Sequence, residues 1–141
     1  MSTIFLIEDN PTYQLFLKNL LHNKGYSCVL CFSTGQDALD NLYQNPSLIF
    51  LDYHLHDGNG LEVLKAIKAY NTNIPVVMLS GQEDIAVAVN TMRYGAIDYL
   101  IKDDWVSKSI DRFFERLDDY HRLMKQQQQS TVSRIASIFR V

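Results

Sequence analysis

Five short apolar runs rich in β-branched and aromatic residues alternate along this chain with stretches that repeat at helical spacing. The runs are Ile4 to Ile7, Cys28 to Phe32, Leu48 to Leu51, Pro75 to Leu79 and Ile97 to Ile101. Such alternation implies a parallel sheet, because parallel neighbours need a crossover and a helix is the usual one. Ile4 to Ile7 has no polar alternation, which suits a strand covered by helices on both faces. The expected fold class is therefore α/β, with a doubly wound, five-stranded parallel sheet.

The helices can be placed by their caps and stripes. Asn10 can cap the first, Pro11 suits its first turn, Tyr13, Phe16, Leu17, Leu20 and Leu21 make one apolar stripe, and Gly25 can end it. The second helix is expected from about Thr34 to Tyr43, with Ala38, Leu39 and Leu42 inward. After a loop at His56-Asp57-Gly58-Asn59, the third carries Leu61, Leu64 and Ile67; Ile85, Ala88, Val89 and Met92 mark the fourth. A long last helix starts near Asp104. In it Val106, Ile110, Phe113, Leu117, Tyr120 and Met124 recur at steps of four and three, a heptad seam whose late members either pair with another chain or form a frayed amphipathic end. Gln126 to Gln129 and the weakly apolar end after it read as a polar linker or tail, so the expected boundaries are a domain over 1–124 and a tail over 125–141.

At 141 residues, 47% of them apolar, one buried core is the expectation. A formal charge of −3 gives no global attraction to nucleic acid or an anionic membrane. The first apolar run is far too short for a signal peptide or a membrane span, and a cytoplasmic location follows by default. Cys28 and Cys31 form C-x-x-C, but on a strand an odd separation sends the two thiols to opposite faces, which suits packing rather than redox chemistry.

In an open parallel sheet, ligands bind outside the carboxyl ends of the strands. The first strand delivers Glu8-Asp9 there, the third Asp52, the fourth Ser80 and the fifth Lys102, with Tyr99 three residues before the lysine. Carboxylates gathered from neighbouring strands repel by about 4 kcal/mol per unit-charge pair at 4 Å and an effective dielectric near 20. A hard divalent ion with oxygen ligands, Mg²⁺ above all, would offset that, and Lys102 supplies a second positive charge. An oxygen-rich metal site, a point cation and a hydroxyl are what phosphoryl transfer needs, and Asp52 is the natural nucleophile.

Over about residues 3 to 122 the chain resembles the receiver family of response regulators in two-component systems. The resemblance is carried by Ile4-Phe5-Leu6-Ile7-Glu8-Asp9-Asn10, by Leu51-Asp52-Tyr53-His54-Leu55 with Gly60 farther on, by Val77-Met78-Leu79-Ser80-Gly81, and by Tyr94-Gly95-Ala96-Ile97-Asp98-Tyr99-Leu100-Ile101-Lys102. It implies a flavodoxin-like sheet of strand order 2-1-3-4-5 and a phosphorylation switch charged by a histidine kinase or phosphotransfer protein, self-catalysed but not a turnover enzyme. It also implies roles: Asp52 as phosphoacceptor; Asp9, Asp52 and the backbone carbonyl of His54 as Mg²⁺ ligands, with Glu8 acting partly through water; Lys102 and Ser80 on the phosphoryl oxygens; and Tyr99 swinging inward behind Ser80. The output would be a re-shaped surface of the fourth helix, fifth strand and last helix, open to homodimerisation but not itself binding nucleic acid. The chain would be a stand-alone receiver or the amino-terminal piece of a longer regulator.

Three positions depart from the family pattern. His56 and Gly81 replace a usual proline and alanine, and Asp103 replaces the proline that usually follows the lysine through a cis bond, so a trans bond is expected at Lys102-Asp103. His54 and His56 have weak metal-ligand spacing and are expected to face solvent. A phosphatase or transferase would want a second acid at His54, and a nucleotide binder would not place Glu8-Asp9-Asn10-Pro11 after its first strand. The remaining alternative is the same fold as an unphosphorylated protein-binding module.

Overall fold

The computed structural model describes residues 2–81 and 83–139, without the side chains of 124, 127–131 and 133. The chain divides into two compact units that meet in sequence between Val106 and Ser107. The first holds a parallel sheet of β1 (Thr3–Ile7), β2 (Cys28–Phe32), β3 (Leu48–Asp52), β6 (Val76–Ser80) and β7 (Asp98–Ile101). A two-stranded antiparallel pair, β4 (His54–Leu55) with β5 (Gly58–Asn59), lies between β3 and β6 in sequence. The order β2-β1-β3-β6-β7 is the expected 2-1-3-4-5 once that small pair is set aside. Every neighbouring pair in the large sheet is parallel.

Helices α1 (Pro11–Asn23), α2 (Gly35–Asp40), α3 (Gly60–Tyr70) and α4 (Ile85–Arg93) connect the strands. Each begins on a side chain that accepts a backbone N–H from its first turn: Asn10, Thr34, Asn59 and Asp84. Gly25, just past α1, has φ +99°, a left-handed conformation that glycine enters without a Cβ penalty. The core follows from the continuous apolar strands. All five residues of both β3 and β6 are buried, and Phe5, Ile49, Leu51, Leu64, Ile67 and Met78 form one cluster.

Several elements differ from the sequence expectation. The second helix stops at Asp40 and a separate 3₁₀ turn, Leu42–Gln44, carries the chain to Asn45, which adopts φ 55°. His56 and Asp57 are the turn of the β4–β5 pair rather than part of an unpaired loop. Phe16 is 43% exposed, so the α1 stripe buries Leu17 and Leu21 but not Phe16. In α4 only Thr91 is buried, while Ile85, Val89 and Met92 are exposed. Both cysteines are free and half-buried, and burial pushes the Cys31 thiol up.

The second unit is built from the helix α5 (Val106–Ile138), which begins two residues later than expected. Ile110, Phe113 and Phe114 are buried, whereas Tyr120, Leu123, Val132 and Ile135 are exposed. The stretch from 125 expected as a linker or tail is helical as far as Ile138, because no proline or glycine interrupts it and Gln and Lys are good helix formers. The Met124 side chain, part of the expected seam, lies outside the described residues.

Gly60 shows how tightly the loop after Asp52 is built. A Cβ there would sit 2.5 Å from the Asp52 carbonyl oxygen and 2.8 Å from Tyr53 Cα, both backbone atoms that cannot step aside. Its N–H also donates to the Tyr53 carbonyl at 2.6 Å. Gly60→Ala is therefore expected to cost about 1–3 kcal/mol by overpacking, read as a lower urea midpoint with an unchanged slope.

Candidate functional site

The sheet register assembles the site. Ile7 pairs with Leu51, so the next residues along, Glu8 and Asp52, leave two adjacent parallel strands side by side. Asp52 itself pairs with Leu79, and Ser80 pairs with Ile101, one residue before Lys102. The Lys102 N–H donates to the Ser80 carbonyl at 2.8 Å, extending the ladder past β7. Among the described residues there is no cis peptide bond, so Lys102-Asp103 is trans.

Glu8 and Asp52 are only 1% and 4% exposed, a costly place for two anions. The Lys102 ammonium offsets that cost. Its Nζ lies 2.6 Å from Glu8 Oε2 and 3.0 Å from Asp52 Oδ2. Burial still pushes the Glu8 carboxyl up, with Asp52 adding repulsion and the Lys102 hydrogen bond working the other way. The Asn10 N–H donates to Glu8 Oε1 at 3.2 Å, and the Gln14 side-chain amide to the Glu8 carbonyl at 2.9 Å, so the start of α1 is tied to the end of β1.

Asp9 reaches the same cluster. One carboxylate oxygen from each of Glu8, Asp9 and Asp52 lies within 4.8 Å of the others. An all-oxygen, anionic donor set of this size fits a hard divalent cation rather than a soft transition metal. The His54 N–H donates to Asp52 Oδ1 at 3.3 Å. His56 is not simply solvated. Its side chain is 84% exposed, yet its N–H donates to Asp9 Oδ2 at 2.9 Å and its Nδ1 lies 3.4 Å from the same oxygen. Ser80 is buried at the end of β6. Tyr99 is half-buried in β7, against the core cluster.

The structure thus brings Glu8, Asp9, Asp52 and Lys102 together, with Ser80 on the neighbouring strand end and Tyr99 farther back on β7. Two participants escaped the sequence reading. Tyr13, taken as a core aromatic, has its ring under Lys102 Nζ, 4.7 Å from the centroid. Asp57, in the β4–β5 turn, accepts the N–H groups of Gly35 and Gln36 at 3.1 and 3.2 Å and so anchors the start of α2. Neither could be found from spacing, since both contacts link segments placed by tertiary structure.

Comparison with known proteins gives the class. The family model for the response regulator receiver domain matches residues 4–112. The transcriptional regulatory protein MalR of Bacillus subtilis is 35% identical over 127 residues, 89% of this chain and 52% of that protein. A two-component response regulator from Clostridium difficile superposes with a TM-score of 0.75 at 25% identity, covering 88% of this chain and 98% of that one. The Mn²⁺-bound form of response regulator Rcp1 superposes at 0.65 and 26% identity, covering 74% and 83%. The chain belongs to the response regulator receiver domain family, which serves signalling in two-component systems. It spans from about a fifth to about half the length of the first curated relatives it matches. Among the described residues, no helix is long and apolar enough to cross a membrane.

The Asp57 anchor has a pH signature. Burial acts to raise its pKa but is outweighed by the N–H groups of Gly35, Gln36 and Asp57 itself together with the nearby His56, so the net shift is downward. A carboxyl depressed in the native state stabilises fully above its unfolded pKa, and that contribution is lost as pH falls through the native value. Asp57→Ala is expected to cost about 1 kcal/mol at neutral pH, as for a lost helix cap, and less at the acid end, where the parent is protonated too. Urea unfolding of both proteins across that range checks it.

Proposed function

We propose that this receiver domain is a phosphorylation switch in which Asp52 accepts a phosphoryl group from a histidine kinase or phosphotransfer protein. The observation that carries this reading is the cluster of three carboxylate oxygens within 4.8 Å, with the Lys102 ammonium 2.6 and 3.0 Å from two of the residues. In the transfer, an Asp52 oxygen bonds to phosphorus as the bond from phosphorus to the donor nitrogen breaks. Lys102 balances charge on the phosphoryl oxygens, and Ser80 donates a hydrogen bond to one of them. Asp9, Asp52 and the His54 carbonyl would hold Mg²⁺, with Glu8 acting partly through water. When bound, that ion neutralises the anionic repulsion between nucleophile and phosphoryl group.

The acyl phosphate brings about −1.5 to −2 charges to a site holding an ammonium and a hydroxyl. Ser80 moves toward it, the segment after β6 follows, and Tyr99 turns inward behind. An open groove of about 540 Å³ lies beside Tyr53 along α4, lined by Ala86, Val87, Val89, Asn90 and Arg93. The surface carried by α4 and β7 is the output, read in the cytoplasm by an attached domain or a separate partner. Such a shift requires that the phosphorylated site favour the moved form over the resting one.

Intact mass after incubation with a small acyl phosphate and Mg²⁺ tests the reading. One phosphoryl increment is expected on the parent protein, none without Mg²⁺ and none on Asp52→Asn; equal labelling of parent and Asp52→Asn would overturn it. Mg²⁺ at about a hundredfold excess over its Kd should also stabilise the parent by about 2.7 kcal/mol. Thermal unfolding of Asp9→Asn should show most of that increment gone.

A further inference from the structure

The contact between Tyr13 and Lys102 belongs to no part of the transfer described so far. Tyr13 is the third residue of α1, and its N–H donates to Asn10 Oδ1 at 3.0 Å. Asn10 in turn donates to Glu8, so ring, cap and site carboxylate form one connected unit. The ring lies under Lys102 Nζ. Its hydroxyl is buried and, among the described residues, has no hydrogen-bond partner. The contact this side chain makes with the site is through its ring face, 4.7 Å from Lys102 Nζ.

A lysine carries a compact charge on a flexible stem, and holding it in one geometry has an entropic cost. In the resting site two anions hold it. Those anions do not stay constant: Asp52 becomes an acyl phosphate, and Glu8 is drawn toward a bound cation. The aromatic face is the contact that keeps its charge distribution throughout. The phenol also stays neutral, since burial, then Glu8, Asp52 and Asp103, push its pKa up to about 12. It therefore adds no further anion to the resting site.

We propose that Tyr13 is a positioning residue for Lys102, its ring supporting the ammonium at the phosphoacceptor while Glu8 and Asp52 change partners. The proposal rests on Asp52 being the phosphoacceptor, and its test separates the two. With a small acyl phosphate and Mg²⁺, Tyr13→Leu is expected to slow labelling of Asp52 about tenfold, and Tyr13→Phe to recover most of that loss. In a Lys102→Met background, Tyr13→Leu should slow labelling no further, because a residue acting through the lysine has nothing left to position. Independently of any reaction, NMR of the metal-free protein should show a ring-current shift on the Lys102 ε-methylene protons, kept in Tyr13→Phe and lost in Tyr13→Leu. Should Tyr13→Leu fold poorly, Tyr13→Met carries the same expectations. A labelled parent with an unslowed Tyr13→Leu, a further loss in the Lys102→Met background, or no ring-current shift would overturn the role. An unlabelled parent would sink the phosphoacceptor reading itself, and the role with it.

Discussion

Two carboxylates buried at the ends of adjacent parallel strands are the constraint around which this molecule is arranged. Glu8 and Asp52 emerge side by side because the β1–β3 register allows nothing else, and each is almost completely removed from water. Left alone, such a pair would take up protons or force the strands apart. Lys102, arriving from the far edge of the sheet, makes the arrangement tolerable in the resting protein. The same arrangement leaves the site short of positive charge whenever another anion is added. Electrostatic need and chemical capacity thus have a single origin.

The loop that follows Asp52 is held with corresponding strictness. The β4–β5 turn reaches Asp9 through the His56 N–H and the start of α2 through the Asp57 carboxylate. Gly60 closes the segment against backbone on its inner side. Where the family usually has a proline, His56 supplies an N–H, which a proline could not. The departure in sequence therefore becomes a contact to an acidic residue of the site. This loop is held both by polar contacts to Asp9 and to the start of α2 and by the buried Leu55, which joins the core cluster.

Much of this could be read directly from the order of residues. Runs such as Leu48–Asp52 and Val76–Ser80 are apolar without alternation, so strand identity, parallel pairing and the location of Glu8, Asp9, Asp52, Ser80 and Lys102 at one edge followed from pattern alone. The last-helix boundary and the state of residues after 125 were less legible, because Gln-rich polar sequence suits a solvated helix as well as a linker. The break after Asp40 depends on how the chain turns toward β3. Tyr13 and Asp57 were hidden for a different reason. Each acts across a gap in sequence that only the folded sheet closes, and each belongs to a residue type with a commoner structural use.

The fourth helix shows what such an architecture releases. Thr91 alone is buried there, with its carbonyl taking the Ala96 N–H, while Ile85, Val89 and Met92 look outward. Residues that do not fill a core are not answerable to it. Their identities can change, or be refined against whichever molecule touches them, without a toll on folding, so substitutions on this helix can alter its associations and leave the packed strands as they are.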